Sequence, residues 1–418
     1  MTVIPRGGGR APLRRSRQVR AGLVQLLLAL AGLALGMLVP RITGGPDAPA
    51  RQVADVLVAL GFGVLGTTVV IFSLLFLVVQ WAHTSFTPRL TLFRQSPIVW
   101  WTFAFSIGLA VFCVTAALAI GDSSDVSVAV PVVTAILLLA MLTLLRALLL
   151  RALSSIQLAP VLRSITERGS TALDTLYPAD TSPAASEVSV DNGPPAATVT
   201  WRKPAAVLQQ IDVRQLREAA READAVIVLH KAPGGTLRPG AKIADVYGAA
   251  IADTTVLGSL ATGLEPTFEQ DPMLAFRLLA DIALRALSSS INDPATAAQA
   301  LDCMADLLGG PAARRAGEAG PLRVAGPDGA VRVVIRRPSW EEFVRTGIDD
   351  VIVAALNSPL VLTRLRTLLA DLEPGAHPHG RDLLNRRRAW VEREMAGRFP
   401  VLWREAPPTP HPQAGGIG

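Results

Sequence analysis

The first 150 residues contain four long apolar runs separated by short polar segments. Each run is long enough for a helix to cross a hydrocarbon core about 30 Å thick, which takes roughly 20 residues. None of the runs shows the alternation of apolar and polar residues that is typical of a half-buried strand. The pattern therefore predicts four transmembrane helices, over residues 21–39, 53–80, 98–120 and 126–145.

The first run has a second interpretation, because a basic segment followed by an apolar stretch is also the pattern of a signal peptide. The run is longer than the usual apolar core of a signal peptide. The residues after it, RITGGPDAPA, offer only a weak cleavage site. A retained transmembrane helix is the preferred interpretation.

Arginines are concentrated on alternate flanks of these runs. Six precede the first run, Arg89 and Arg94 lie between the second and third, and Arg146, Arg151 and Arg163 follow the fourth. The two other connections are acidic or balanced in charge. Cytoplasmic flanks of membrane proteins carry the excess of basic residues. We therefore expect both termini to lie in the cytoplasm.

The amino-acid composition indicates the source of the protein and the kinds of partner that it binds. The chain is 50% apolar with a formal net charge of +6, and of its 40 Lys and Arg residues only Lys203, Lys231 and Lys242 are lysine. This bias is typical of a GC-rich bacterial genome, which places the protein in a bacterial cell membrane. Because the arginines adjoin apolar runs, they suit anionic lipid headgroups better than nucleic acid. The expected partners are the lipid bilayer, further copies of the chain in a homo-oligomer and a cytoplasmic protein, but no nucleic acid.

The spans are expected to be free of ionisable side chains, which within a membrane usually mark a proton relay, a voltage sensor or an ion path. This expectation argues against a proton-coupled carrier. It leaves open a pore lined by hydroxyl groups, although membrane hydroxyls commonly bond to their own or a neighbouring helix. The candidate hydroxyls are Thr67, Thr68, Ser73, Thr102, Ser106 and Thr115.

Small residues form stripes on the first two spans. Gly32 and Gly36 make a small-xxx-small pair, and Gly61, Gly63 and Gly66 share the second span. Small side chains let two helix backbones approach closely. The stripes suit packing within the chain or between subunits.

After residue 150 the long apolar runs give way to short segments of mixed periodicity. Strands are predicted at 225–230 and 330–338, and helices at 211–223, 339–372 and 382–398, which together indicate a mixed α/β domain. We therefore predict a membrane α-helical region followed by a cytoplasmic α/β domain. The parts are a basic cytoplasmic N-terminus (1–20), the four-helix transmembrane region (21–150), a helical extension (151–178), a flexible linker (179–200), the cytoplasmic α/β domain (201–400) and a disordered tail (401–418).

Two Asp-Pro pairs open helical patterns in the α/β domain. They are Asp271-Pro272 and Asp293-Pro294, and the second pair belongs to the sequence INDP. Asp is a favoured N-cap and Pro suits the first helical turn, so each pair indicates a capped helix start. In a second interpretation, Asn292 and Asp293 form a polar site that holds an ion at a helix N-terminus.

The run DIALRALSSSINDPATAAQALD resembles the signature ALSP-x-INDP-x-TA of a bacterial family of predicted membrane proteins, the domain of unknown function 2254 family. The loop SFTPRL, with Ser85, Pro88 and Arg89, resembles a second family motif. The resemblance implies four spans and a cytoplasmic domain, but no activity. Ser289 replaces the usual proline, and the matching residues are Ala286, Leu287, Ser288, Ile291, Asn292, Asp293, Pro294, Thr296 and Ala297.

Familiar catalytic motifs are absent from the sequence. It contains no P-loop, no G-x-S-x-G elbow and no H-E-x-x-H pair. His377 and His379 lie in a HPHG segment that is predicted to be a solvated loop rather than a metal site. We therefore expect no metal ion and no cofactor.

Two carboxylate pairs could in principle perform acid–base chemistry. They are Glu341 with Glu342 and Asp349 with Asp350, and a solvated helix face explains them equally well. We therefore expect no catalytic residue and no enzymatic activity. The preferred function is a non-enzymatic membrane scaffold or regulator, and the alternative is a subunit of a homo-oligomeric pore or transport protein.

Overall fold

The computed structural model describes residues 14–42, 44, 46–85, 97–121, 123–178, 193–318 and 320–405. The chain divides into two compact units, with the boundary between Pro160 and Val161. We call residues 14–160 the apolar unit and residues 161–405 the α/β unit. Four candidate membrane helices are thus followed by a mixed helix and sheet region.

Four long helices build the described part of the apolar unit, and each contains a stretch long and apolar enough to cross a membrane. The four predicted runs are confirmed as helices. The last begins three residues later than expected, because a short strand precedes it. The helices are α1 (Arg14–Leu38), α2 (Ala50–Ser85), α3 (Pro97–Ile120) and α4 (Ala129–Ile156).

A two-stranded ribbon joins the connections that follow α1 and α3. Strand β1 (Asp47–Pro49) pairs antiparallel with β2 (Asp125–Ser127). The Ser127 hydroxyl also donates to the Gly44 carbonyl at 2.7 Å. Both connections therefore lie at the same end of the helices, as the predicted up-and-down course of four spans requires.

The expectation that the spans lack ionisable groups is wrong at one position. Asp55 lies within the second predicted run, in an apolar stretch (Ala50–Leu77) that also contains Arg51. The Asp55 side chain is exposed in the second turn of α2. Charged side chains near the end of a span can reach the polar interface. The argument against a proton-coupled carrier therefore rests on the middle of the spans.

Hydroxyl groups of the spans bond to their own helices. Thr68 donates to the carbonyl four residues earlier at 2.6 Å, and Thr102 and Thr115 do the same at 2.8 and 2.7 Å. Ser73 and Ser106 also donate to a carbonyl of their own helix. These five hydroxyls satisfy their hydrogen-bonding needs locally, which is the ordinary role of such groups in apolar helices.

Glycines bring α1 and α3 into close contact. A Cβ atom on Gly32 would overlap the Gly108 carbonyl, and one on Gly108 would lie 2.7 Å from the Leu28 carbonyl oxygen. A Cβ on Gly36 would overlap the Thr115 hydroxyl. The predicted Gly32 and Gly36 pair thus serves packing within one chain.

The glycines of α2 fall into two groups. A Cβ on Gly61 would lie 3.2 Å from the Cys113 Cβ of α3. Gly63 and Gly66 have no atom within 4 Å of the corresponding position. Packing within the described chain therefore accounts for Gly61 and leaves the other two open.

Helix α5 (Leu158–Leu176) crosses the boundary and lies mostly in the α/β unit, and only Gln157 separates this helix from α4. The described strands of the α/β unit are β3 (Ala197–Thr200), β4 (Ala206–Ile211), β5 (Ala225–Leu229), β6 (Thr236–Leu237), β7 (Lys242–Gly248), β8 (Leu260–Gly263), β9 (Leu322–Ala325) and β10 (Val331–Ile335). Its further described helices are α6 (Val213–Glu222), α7 (Asp253–Gly258), α8 (Met273–Ala286), α9 (Pro294–Gly309), α10 (Pro311–Glu318), α11 (Trp340–Val344), α12 (Asp350–Ala354), α13 (Pro359–Leu372), α14 (Pro378–Arg398) and α15 (Pro400–Glu405).

The larger sheet has the strand order β3-β7-β5-β10-β9. Strands β5 and β10 run parallel, and the other neighbours are antiparallel. One face of the sheet is buried through Ile227 and Leu229, which join a core with Leu216 of α6. The opposite face carries Val226 and Val228, which are only partly buried. A smaller antiparallel sheet has the order β6-β4-β8.

Most local predictions in this unit are confirmed. Strands β5 and β10 and helix α6 lie where the patterns placed them, and Asp212 caps α6 by accepting from the Gln215 amide at 3.0 Å. The structure differs at residues 197–200, predicted as linker, which form β3. The β-branched Thr198, Val199 and Thr200 suit an edge strand. Residues 179–192 of the linker and 406–418 of the tail lie outside the described residues.

The helix predicted over residues 339–372 is interrupted twice. A π-helical turn (Arg345–Asp349) follows α11, and a 3-10 turn (Ala355–Asn357) precedes α13. A Cβ on Gly347 would lie 3.4 Å from Met304 Sδ of α9 and 3.5 Å from the Phe276 ring of α8, so the turn is in ordinary contact with both helices. Ser358 starts a new helix by accepting from the Val361 amide at 3.4 Å. The predicted helix is thus divided into α11, α12 and α13, and its second break is a local effect of Ser358 and Pro359.

Candidate functional site

The residues that resemble the family signature lie at the end of α8, on the corner that follows (residues 287–293) and at the start of α9. Asp293 caps α9, since its carboxylate accepts from the Thr296 amide at 3.1 Å and the Thr296 hydroxyl at 2.6 Å. These bonds lower the pKa of Asp293. Ala286 and Ala297 are buried on either side of the corner.

The corner turns sharply at Asn292, whose φ of +47° lies in the left-handed region. Asn tolerates this conformation better than most residues. The Asp293 amide then donates to the Ala286 carbonyl at 2.8 Å and closes the corner. Ile291 and Asn292 point outward, while the Asp293 carboxylate is committed to Thr296. Capping therefore accounts for the motif, and the two polar residues do not converge on a common site.

The second motif lies elsewhere. Ser85 is the last residue of α2. Pro88 and Arg89 lie outside the described residues. The structure therefore connects this motif to the end of a membrane helix and to nothing further.

The other end of α8 holds a buried carboxylate. Asp271 is only 1% exposed, and its partner is Arg277, whose Nη2 lies 3.3 and 3.2 Å from the two carboxylate oxygens. Burial raises the pKa of Asp271 to about 6, against the opposing effects of Arg277 and of the Met273 and Leu274 amides. Helix α8 begins at Met273, one residue later than an Asp271 cap predicts.

A turn from the β-rich part packs onto this carboxylate. The turn (residues 232–235, here the Gly234 turn) places Gly234 at φ +84°, and a Cβ there would overlap the Asp271 carboxylate. The Gly234 amide donates to the Leu208 carbonyl of β4 at 2.7 Å. The contact therefore joins the small sheet to the start of α8.

The first turn of α8 contacts α5. A Cβ on Gly169 of α5 would lie 2.6 Å from the Ala275 Cβ of α8 and 3.3 Å from the Leu307 Cδ1 of α9. Both helices flank α5 closely at this point. The start of α8 and the residues just before it thus meet α5 and the Gly234 turn, and its end leads into the 287–293 corner.

The end of α5 is anchored by Tyr177. Its hydroxyl donates to the Pro338 carbonyl, its carbonyl accepts from Arg315 Nε at 2.7 Å, and the Arg337 guanidinium lies 5.0 Å from its ring centroid. Arg337 also donates to the Leu176 carbonyl at 3.0 Å. Burial raises the pKa of the Tyr177 hydroxyl, which keeps it a donor. Two arginines thus satisfy carbonyls that a helix end leaves open.

A polar cluster that the sequence did not reveal lies on the partly buried face of the large sheet. Asp245 accepts from Thr198 Oγ1 at 2.8 Å, from His230 Nε2 at 2.8 Å and from Lys242 Nζ at 2.7 Å. Burial alone would raise the pKa of Asp245, but hydrogen bonds from Lys242, Thr198 and His230 lower it. The antiparallel register places Thr198, Val228 and Asp245 in one row. The alternation of inward and outward side chains along β3 and β7 is the sequence signal that could have predicted the pairing of Thr198 with Asp245.

The chemistry of this cluster is limited to protons and charge. The His230 side chain is 36% exposed and that of Lys242 is 50% exposed, while Asp245 is buried beneath them. Because the carboxylate accepts from Nε2, the other ring nitrogen of His230 is available as an acceptor. An Asp–His pair of this kind can hold a proton at the surface.

The prediction of a solvated loop at the HPHG segment is wrong. The segment is the cap and first turn of α14, and His377 Nδ1 accepts from the Gly380 amide at 3.4 Å. His377 Nε2 lies 2.8 Å from Glu341 Oε1, but the alignment is too poor for a hydrogen bond. His379 is exposed. The Pro and Gly residues of this segment suggested a loop. A proline in the first turn and a side-chain cap are, however, also signals of a helix start.

One member of each carboxylate pair has a structural partner. Asp349 forms a two-point ion pair with Arg387 at 2.5 and 2.6 Å. Glu342 completes a capping box with Ser339 at the start of α11. Across the described part of the chain, no group of three His, Cys, Asp or Glu side chains is placed to hold a metal ion.

Comparisons with known proteins agree with the sequence resemblance. A family model described as "Predicted membrane protein (DUF2254)" matches residues 20–371. The uncharacterized proteins Mb1321c of Mycobacterium bovis and Rv1290c of Mycobacterium tuberculosis are each 29% identical over 348 residues, which cover 75% of this chain. The match spans 62% of the length of these curated relatives. No solved structure matches the chain. The chain belongs to the DUF2254 family of predicted membrane proteins.

Proposed function

We propose that the protein is a multi-pass protein of the bacterial cell membrane whose α/β unit works in the cytoplasm as a non-enzymatic scaffold or regulator. The observation that carries this proposal is the position of α8. Ala275 in its first turn contacts α5, Asp271 just before it contacts the Gly234 turn, and its last turn leads into the 287–293 corner. A helix placed in this way can couple these three parts.

The connection to the membrane helices supports the same proposal. Helix α5 follows the last apolar helix after a single residue, Gln157. The α5 helix is then fixed to the α/β core through Gly169 and Tyr177. Packed cores shift between discrete arrangements rather than deform smoothly. A displacement of α5 would therefore be passed to α8.

The distribution of arginine supports the orientation. The flanks with Arg89 and Arg94, and with Arg146, Arg151 and Arg163, are the ones that would face the cytoplasm. Fusions of alkaline phosphatase and of green fluorescent protein after residues 123 and 418 test this arrangement. Phosphatase activity at 123 and fluorescence at 418 are expected, whereas phosphatase activity at 418 would overturn the orientation.

The proposal of a non-enzymatic role rests on how the polar groups are used. Asp349, Glu342 and Asp293 each stabilise a helix or an ion pair in the fold. No cofactor is proposed. The proposed partners are the lipid bilayer, other copies of the chain and a cytoplasmic protein.

A photo-cross-linking experiment tests the scaffold or regulator role. A photoreactive amino acid is placed at Val353 or Leu360, which are exposed apolar positions of the α/β unit. A protein cross-linked at one of these sites in cells, and lost with Tyr177→Ala at equal membrane abundance, is the expected result. Tyr177→Phe serves as the matched control. Absence of any cross-linked protein from every exposed face tested would sink the proposal.

The alternative is a subunit of a homo-oligomeric pore or transport protein. It is favoured by Gly63 and Gly66 of α2, which pack against nothing in the described chain. Contact with another copy would use these small residues. Purified protein in liposomes tests it. A ring-shaped oligomer with ion flux that is lost in Gly66→Leu would support the pore, and a monomer or dimer without flux would exclude it.

A further inference from the structure

We propose that Asp271 is a proton-operated latch: proton uptake by its buried carboxyl tightens the contact between the Gly234 turn and α8, and proton loss weakens it. The inference rests on the proposed regulatory role of α8 and names its input. The input is the proton concentration on the side of the membrane where the α/β unit lies.

Incomplete compensation of the carboxylate carries the argument. Asp271 is 1% exposed, so its charged form has lost nearly all hydration. The Met273 and Leu274 amides also donate to it, and its ionic partner is a single nitrogen of Arg277 at 3.2 to 3.3 Å. Charge-assisted bonds of this type are usually shorter, about 2.7–2.9 Å. The negative charge is therefore held at a cost that the neutral acid avoids.

The free-energy cost of the charged carboxylate depends on whether the Gly234 turn is packed against it. The carboxylate fills the space beside the Cα of Gly234, so the turn and the carboxylate exclude water from each other. Withdrawal of the turn would let water reach the charged form. Closure of the contact therefore favours the protonated carboxyl, and opening favours the ionised one.

Charged groups lie on the segments that form the contact and on α5, where the Arg168 guanidinium lies 5.7 Å from the Phe268 ring centroid. Arg277 faces Asp271 from α8. His230 and Lys231 precede the Gly234 turn, and the His230 side chain is held by Asp245. Glu269 lies on the loop of Asp271 itself and is exposed. Arg277 is the charge whose field acts on the Asp271 carboxyl, and it favours the ionised form.

Burial and the charge of Arg277 act in opposite directions on the pKa of the Asp271 carboxyl, and the result lies within the range of pH that a cell can reach. Burial outweighs Arg277 and raises the pKa of Asp271 to about 6. A fall in pH through this value therefore protonates the closed contact. Because α8 also packs on α5 at Gly169, the state of the contact reaches the helix that follows the last membrane span.

Hydrogen–deuterium exchange on the full chain in lipid nanodiscs tests the latch. Rates for peptides covering residues 230–238 and 268–278 are divided by the intrinsic rates at each pH. We expect protection to rise about tenfold between pH 8 and pH 5 in the wild type. Asp271→Asn should be equally protected at both pH values, and Glu269→Gln should follow the wild type.

A pH response that persists in Asp271→Asn would overturn the proposal, as would protection that falls with pH. Should that variant fail to fold, Arg277→Gln keeps the carboxyl and should move the midpoint to higher pH. An unchanged midpoint would overturn the proposal equally. Hydrogen–deuterium exchange needs no partner protein, so it tests the latch independently of the regulatory role. If exchange shows no pH response but the cross-linked protein is still found, only the latch is disproved. A normal latch without cross-linking would remove the regulatory role.

Discussion

The Asp271 carboxylate occupies the space beside Gly234 where any other residue would place a Cβ atom. The two residues are 37 positions apart and belong to different parts of the α/β unit. The glycine is required twice, by its φ of +84° and by the carboxylate. The buried Asp271 carboxylate therefore leaves room for glycine at position 234 and for no residue with a Cβ atom.

The pH dependence of stability should change in Asp271→Asn. Burial raises the pKa of Asp271 from 3.8 to about 6 in the folded protein. Its contribution is therefore fully present below 3.8 and is lost as the pH rises through about 6, a difference of up to about 3 kcal/mol. The wild type should gain about 1–2 kcal/mol relative to Asp271→Asn between pH 8 and pH 5. Unfolding in detergent at the two pH values measures this, and parallel profiles would contradict it.

Gly234→Ala should destabilise the α/β unit by about 2–4 kcal/mol, because overlap with the carboxylate adds to backbone strain. Gly240→Ala is the matched control, since Gly240 also has a positive φ but nothing lies within 4 Å of its Cβ position. The control should lose only about 1 kcal/mol. In an Asp271→Ala background the cost of Gly234→Ala should fall to the control value. Additive losses in the double variant would disprove the contact.

Replacement of Tyr177 should separate the two parts of its role. Tyr177→Phe keeps the ring and leaves the buried Pro338 carbonyl without its donor, which costs about 1–3 kcal/mol. Tyr177→Ala also removes the ring from its contacts with Arg337 and Phe343, and should cost about 3–5 kcal/mol. Thermal unfolding of both variants provides the measurement. Equal losses would mean that the ring contributes nothing.

The 287–293 corner should tolerate Gly at Asn292 but not Val. The left-handed φ of +47° costs a β-branched residue about 1–2 kcal/mol or more, whereas Gly adopts it freely. Asp293→Ala should lose about 1 kcal/mol through the missing cap of α9. Chemical denaturation ranks the variants. A loss in Asn292→Gly as large as in Asn292→Val would instead indicate that the Asn side chain itself is needed.

Close packing of α1 and α3 should make Gly108→Ala costly, because the new methyl group meets the Leu28 carbonyl. Gly63→Ala on α2 is the control, with open space around it and better helix propensity. Thermal stability in detergent should fall for the first variant and not for the second. A fall in Gly63→Ala accompanied by loss of an oligomer would reveal a contact between copies.

The secondary structure of the membrane region could be predicted well. Runs such as residues 98–120 are uniformly apolar, and in lipid a helix is the way to satisfy each backbone group. The corner at Asp293-Pro294 was also predictable, because cap, proline and the Thr296 partner are all local. In each case the deciding contacts lie within a few residues of one another.

Other features depend on residues that meet only after folding. His230 and Asp245 are joined by strand register, and Asp271 and Gly234 by packing of a turn on a helix. No pattern in a single segment carries this information. The second break in the helix predicted over residues 339–372 is different, because Ser358 and Pro359 are a local cap and proline signal for a new helix start.

Local sequence patterns were enough to predict the four apolar helices, their basic flanks, the caps of α6 and α9 and the family. These properties follow from local hydrophobicity, charge and turn chemistry, which act over one or two helical turns. Folding brings together segments that are distant in the chain, and this fixes which polar groups are buried and which partners they find. Burial depends on the whole fold, and it is burial that raises the pKa of Asp271 to about 6.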